Sequence, residues 1–189
     1  MAEHVGSDDL FIKLIAPAAR ELGWMWEEDI VDFSQVTLGL VRLQQLTHRL
    51  GYEYQSGPQS AGATHRMMIA CAPGSQHILG LVMVSELFRK AGWHVVVEIS
   101  TDEEGLLQAV KNEWFDLIGL SVGLTDQLAS LPALVANIKA ASKKPGVPVI
   151  LGGAAFMGSD ATAHSLGADG ISTNALEAVD MGVALLALD

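Results

Sequence analysis

Apolar positions recur at helical spacing at the start of the chain, and the rhythm then changes. From Asp8 to Leu22 the residues Leu10, Phe11, Leu14, Ile15, Ala18 and Leu22 mark one amphipathic helix, with Gly23 as its expected stop. Phe33, Val36, Leu40, Val41, Leu43, Leu46 and Leu50 repeat the pattern, with Ser34 as the expected N-cap and Gly51 as the stop. The stretch "YEYQSGPQSAGATH" has no apolar period and is rich in Ser, Gly and Gln, so it reads as a linker. The expected organisation is a helical cap over 1–53, a linker over 54–65 and a main domain over 66–189. Two helices cannot bury their own apolar faces, so the cap is expected to dock on the main domain or to pair with a second copy.

Beyond the linker, short apolar runs alternate with longer helical ones. The strands are expected at "RMMIACA", "HVVVEI", "DLIGLS", "VPVILG" and "DGIS". Helices are expected at "QHILGLVMVSELFRKAG", "DEEGLLQAVKNEW", "TDQLASLPALVANIKAAS", "ATAHSLG" and "NALEAVDMGVALLAL". Continuous apolar strands separated by helices predict a parallel sheet covered on both faces. The fold class is therefore α/β, a doubly wound, Rossmann-like five-stranded parallel sheet preceded by a short helical cap.

Composition narrows the function. Of 189 residues, 50% are hydrophobic and 17% charged, and the mean hydropathy is +0.32. The run "ILGLVMV" is far shorter than the roughly 20 residues a transmembrane helix needs. No leader pattern opens the chain and there is a single cysteine, which leads to the expectation of a cytoplasmic protein. A net charge of −11 with no Lys/Arg stripe opposes direct nucleic-acid binding.

In such a sheet the ligand crevice lies beyond the carboxyl ends of the strands. The exits there read "APGSQHILG", "SVGLTDQ" and "GGAAFMG": rich in Gly, Ser and Thr and poor in charge. Glycine lets backbone approach something large, and a phosphate ligand usually brings a lysine. The first exit lacks G-x-G-x-x-G, no P-loop is present, and the carboxylates that a phospho-receiver domain needs at its strand ends are missing. No Ser/His/acid or Cys/His set can be assembled, so an enzyme of those classes is not expected.

The exits carry a resemblance. "SQHILG" has the spacing of the D-x-H-x-x-G motif of cobalamin-binding domains, with His77 and Gly80 in place and Ser75 where the family carries aspartate. "GLSVGLT" is similar to the family's "GLS-x-L" strand end, with Ser121 present, Gly123 in place of leucine and Thr125 following; "PVILGGA" supplies Gly152 and Gly153. "LGADGISTNALEAV" matches its characteristic ending. The resemblance implies a corrinoid whose cobalt takes its lower ligand from His77, with the nucleotide tail in a slot lined by Gly80, Ser121, Gly152 and Gly153. In the family the aspartate holds the ring's other N–H; Ser75 is a weaker, neutral acceptor, and loss of such a partner typically weakens metal binding about 10–100-fold. Gly80 lies inside a helix, so something is expected to approach its backbone closely, either a ligand or a packed strand.

The front of the chain is similar to the helical cap that precedes cobalamin domains in methionine synthases and in CarH-type photoreceptors, with Trp26 in the tryptophan position that roofs the site. The Glu-His pair found there is Val36-Thr37 here, so no upper histidine ligand is supplied. The wording "W-x-x-D…F…VTLG…RLQ" resembles instead the PpaA/AerR antirepressors and the haem-associated (SCHIC) domain of AppA-type proteins of purple photosynthetic bacteria. This implies a sensory, non-enzymatic module that binds cobalamin or haem and contacts a PpsR/CrtJ-type transcriptional repressor. It also implies a fragment of a larger protein with a flavin-binding light-sensing domain. A corrinoid carrier for methyl transfer and a degenerate interaction domain without cofactor are the alternatives. Of Trp24 and Trp26, two apart, one is expected in the core; Cys71 reads as a small core residue.

Overall fold

The computed structural model of the chain describes residues 7–55, 65–75 and 78–187. The chain divides into two compact units, Met1–Gln59 and Ser60–Asp189.

In the first unit, α1 (Ser7–Leu10) passes through a π-helical turn at Phe11–Ile15 into α2 (Ala16–Glu27). Pro17, which has no amide hydrogen to offer the turn before it, stands at that junction. Gly23 does not end the helix as expected; α2 continues to Glu27, because a glycine stops a helix only where the cap geometry follows it. That geometry comes later, where Asp29 takes a φ of 55° and the amides of Glu28 to Val31 return to carbonyls of Trp24, Met25 and Trp26. α3 (Phe33–Gln55) is capped by Asp32 rather than by Ser34. The Gln35 amide donates to Asp32 Oδ1 at 2.8 Å, and the Asp32 amide donates to Gln35 Oε1 at 2.9 Å, a reciprocal capping box. α3 also runs past Gly51, the other expected stop. A Cβ on Gly39 would stand 2.7 Å from Leu22 Cδ1, so this glycine sets how closely α2 and α3 approach. Neither tryptophan is core: Trp24 is 49% and Trp26 52% exposed.

The second unit holds β1 (Arg66–Cys71), β2 (His94–Glu98), β3 (Leu117–Ser121), β4 (Val149–Gly152) and β5 (Gly170–Ser172), in the order β2-β1-β3-β4-β5, every pair parallel. Between them run α4 (Ile78–Lys90), α5 (Glu103–Asn112), α6 (Leu131–Ala141) behind a 3-10 stretch at Thr125–Ser130, and finally α7 (Ala175–Ala187). Strand alternation divides the core. Met68, Ala70, Ile118, Leu120, Val149 and Leu151 pack with α5 and α6 residues such as Leu106, Val110, Leu134 and Ile138. Met67, Ile69, Leu117 and Ile150 pack with Leu81 and Phe88 of α4 and Ala178 of α7. A sheet buried on both faces is why its strands read as unbroken apolar runs.

The segment "ATAHSLG" is not the expected helix but a single 3-10 turn at His164–Leu166. The Thr162 amide donates to Ser165 Oγ and the Ser165 amide to Thr162 Oγ1, so hydroxyls take up amides that a longer helix would have used. Among the described residues no helix is long and apolar enough to cross a membrane.

Candidate functional site

The strand order reverses between β1 and β3, which places a crevice beyond their carboxyl ends. The register sets one row across that edge: Cys71 pairs with Ser121, Ser121 with Gly152, and Gly152 with Ser172. Ser121 and Gly152, named from the sequence, are thus neighbours on adjacent strands, and Ser172 extends their row.

After β1 the chain turns at once. The Ala72 amide donates to the Ser121 carbonyl at 2.9 Å, and the Ser75 amide closes a turn onto the Ala72 carbonyl at 3.0 Å. Gly74, with φ +82°, supplies the left-handed residue of that turn; its amide donates to the Thr101 carbonyl at 3.1 Å, tying this loop to the one after β2. Ser75 is buried. His77, the candidate metal ligand, and Gln76 before it lie outside the described residues. Gly80 is exposed in the first turn of α4, and no described atom beyond that helix's own backbone would lie within 4 Å of a Cβ built on it. The close approach by a packed strand that its position suggested does not occur.

After β3, Val122 is buried, Gly123 half-buried, and Thr125 exposed. Gln127 follows; its side-chain amide donates to the Pro73 carbonyl at 3.0 Å, while its Oε1 accepts the Leu124 amide at 3.1 Å. After β4 the paired glycines have structural reasons of their own. A Cβ on Gly152 would stand 2.7 Å from the Ser172 carbonyl oxygen, and one on Gly153, whose φ is +114°, would stand 2.3 Å from that of Val122. The glycine pair lets two strand exits lie against each other.

Two features of this edge were missed. Gln127 sits at the start of the expected helix after β3, with no local signal of its long-range bond. The second is a set of exposed apolar side chains, Ile99 at 77%, Leu124 at 44% and Met157 at 60%, one after each of β2, β3 and β4. Their exposure beside uncharged exits was not readable from periodicity. Residues 72–75, 121–125 and 152–158 carry no ionisable side chain. Cys71, at the end of β1, has its thiol pKa pushed up from 9.0 by burial, the state of a core thiol rather than of a metal-binding thiolate. Trp26 belongs to the first unit.

The match to known proteins covers this whole architecture. Residues 65–180 match the B12 binding domain family. The chain belongs to that family. The uncharged residues 72–75, 121–125 and 152–158 and the open Cβ direction of Gly80 leave room for a large, mostly uncharged group such as a corrinoid. A relative from Rhodobacter capsulatus, an uncharacterized 20.5 kDa protein in the bchF-crtJ intergenic region, is 28% identical over 153 residues, covering 81% of this chain and 79% of its own. The monomethylamine corrinoid protein of Methanosarcina barkeri has a TM-score of 0.77 at 19% identity, over 96% of this chain and 84% of that one. A cobalamin-binding protein from Desulfitobacterium hafniense has a TM-score of 0.57 at 21% identity, over 94% of this chain and 88% of that one. Both share the fold with this B12-binding domain.

Proposed function

We propose that this protein is a corrinoid-dependent regulator of photosynthesis genes, acting through contact with a PpsR/CrtJ-type repressor rather than through catalysis. The observation that carries the reading is the B12-binding match over 65–180 on a chain whose residues 72–75, 121–125 and 152–158, after β1, β3 and β4, carry no ionisable side chain. The R. capsulatus relative, encoded between bch and crt genes, supports the photosynthetic setting. In this reading His77 holds the metal, and Gly80, Ser121, Gly123 and Thr125 face the cofactor. When bound, the corrinoid supplies a light- or ligand-sensitive metal centre. The chain orients it, excludes water from it and presents the resulting surface to the partner. Cobalamin is preferred to haem, since the family's ligand is a corrinoid. The acidic charge of −11 suits a partner that binds DNA through basic residues.

A methyl-carrier role is the rival, favoured by the likeness to the M. barkeri corrinoid protein. Ser75 counts against it, because a methyl carrier depends on tuning the bond between histidine and cobalt, and serine replaces the carboxylate that would do this. The two readings separate in one experiment. The chain, with and without hydroxocobalamin, is added to a repressor–operator complex in a gel-shift assay. Cobalamin-dependent release of the operator is expected. No release, together with methyl transfer from a methylated corrinoid to a thiol acceptor by a methyltransferase partner, would replace this reading with the carrier.

A further inference from the structure

The loop that leads to His77 is held at three consecutive residues, and only one of the three attachments is made by a side chain. Ser75 N–H closes the turn onto the Ala72 carbonyl, and Gly74 N–H reaches the Thr101 carbonyl. The Pro73 carbonyl is held by Gln127 Nε2 at 3.0 Å, across 54 residues of chain. Gln127 is itself fixed at both ends. Its Oε1 accepts the Leu124 amide at 3.1 Å, its own amide donates to the Leu124 carbonyl at 3.2 Å, and it stands in the 3-10 stretch Thr125–Ser130 that leaves β3. A side-chain amide accepts with its oxygen and donates with its nitrogen, so it serves one backbone at each atom without changing protonation.

We propose that Gln127 is a positioning residue for the cofactor. It locks the β1–α4 loop to the β3 exit, so that the metal-ligand segment following Ser75 starts from one fixed place relative to Ser121 and Gly123. The inference rests on the corrinoid reading and adds to it a residue outside the motif that identified the family. Without the tether, the loop loses its side-chain link to the β3 exit, and more of its ordering falls to the cofactor. The bound geometry then becomes less populated in the free protein, and apparent affinity falls by that fraction.

The test uses the full chain and hydroxocobalamin. Gln127→Glu keeps the length of the side chain and its bond from the Leu124 amide, but an ionised carboxylate cannot donate to Pro73. Gln127→Met, of similar length and with neither group, serves if the Gln127→Glu chain has a lowered thermal midpoint. The expected result has three parts: faster amide hydrogen exchange at Gly74 and Ser75 in the cofactor-free protein, unchanged exchange in β1 and β3, and hydroxocobalamin affinity lower by on the order of tenfold. Lowering the pH far enough to protonate the introduced carboxylate restores a donor, so the difference in Gly74 exchange between wild type and Gln127→Glu narrows once the intrinsic pH dependence of exchange is divided out. That recovery assigns the loop's order to a donor at residue 127, and the fall in hydroxocobalamin affinity, which a merely structural tether would not cause, assigns the order to the cofactor. If the wild type shows a His77-dependent spectral shift and the Gln127→Glu chain shows it at the same affinity with the same loop exchange, the tether has no positioning role. If the wild type shows no such shift, the corrinoid reading fails and the positioning role falls with it.

Discussion

The Gly153 backbone lies against the Val122 backbone so closely that an added Cβ would stand 2.3 Å from the Val122 carbonyl oxygen and 2.9 Å from its amide nitrogen. The Val122 amide donates to the Gly152 carbonyl at 2.7 Å, and the Ala155 amide donates to the Val122 carbonyl at 3.2 Å, so neither partner can retreat. With φ at +114° the position also excludes other side chains on conformational grounds. Gly153→Ala is expected to destabilise the protein by about 2–4 kcal/mol, read as a lowered denaturant midpoint.

Gly80 is the opposite case. It is exposed, its Cβ direction meets no described atom, and it sits in helix. Gly80→Ala should leave the cofactor-free protein unchanged or more stable by up to about 1 kcal/mol, since alanine is the better helix former. Its cost is expected on the other side of the equilibrium, as weakened hydroxocobalamin binding. Thermal unfolding with and without hydroxocobalamin reads both signs in one variant.

Ser75 stands, buried, where the family carries aspartate. Ser75→Asp should tighten hydroxocobalamin binding by on the order of tenfold, through a stronger acceptor for the ligand imidazole. The same carboxylate, buried without the cofactor, should cost the free protein about 1–3 kcal/mol. A titration paired with a denaturation curve checks the trade. Equal affinity of the two chains would mean that residue 75 does not face the ligand ring.

Cys71 gives a pH prediction. Burial disfavours its thiolate, so its folded pKa lies above the 9.0 of the unfolded thiol. The unfolded state therefore loses its proton first, and the contribution of this group to stability is complete below pH 9.0 and declines above it. Iodoacetamide should label the native chain far more slowly than the unfolded chain at pH 8, and Cys71→Ser should flatten the alkaline part of the stability profile.

The parallel sheet was legible because each strand is a continuous apolar run, and the carboxyl-edge residues were legible because glycine, serine and threonine cluster where strands end. What the chain does not display locally was misread. Gly23 and Gly51 look like helix stops, yet α2 and α3 pass through them because the stop depends on the φ of a later residue, Asp29 in the case of α2. Asp32 and Ser34 are both good N-caps by type, and only the return bond from Gln35 decides between them. Gly152 and Gly153 also have a backbone reason that spacing does not display, since a Cβ on either would meet the carbonyl oxygen of Ser172 or of Val122. Gln127 was invisible, since a bond across 54 residues leaves no trace in local spacing.

The central claim, that this chain binds a corrinoid through His77, is tested most directly by a dark UV–visible titration of the purified protein with hydroxocobalamin, run beside the same titration with haemin and repeated on His77→Ala. The account predicts a saturable spectral shift with hydroxocobalamin that His77→Ala abolishes. No shift with hydroxocobalamin, or one that His77→Ala leaves intact, would contradict it; a His77-dependent shift with haemin alone would assign the site to the other tetrapyrrole.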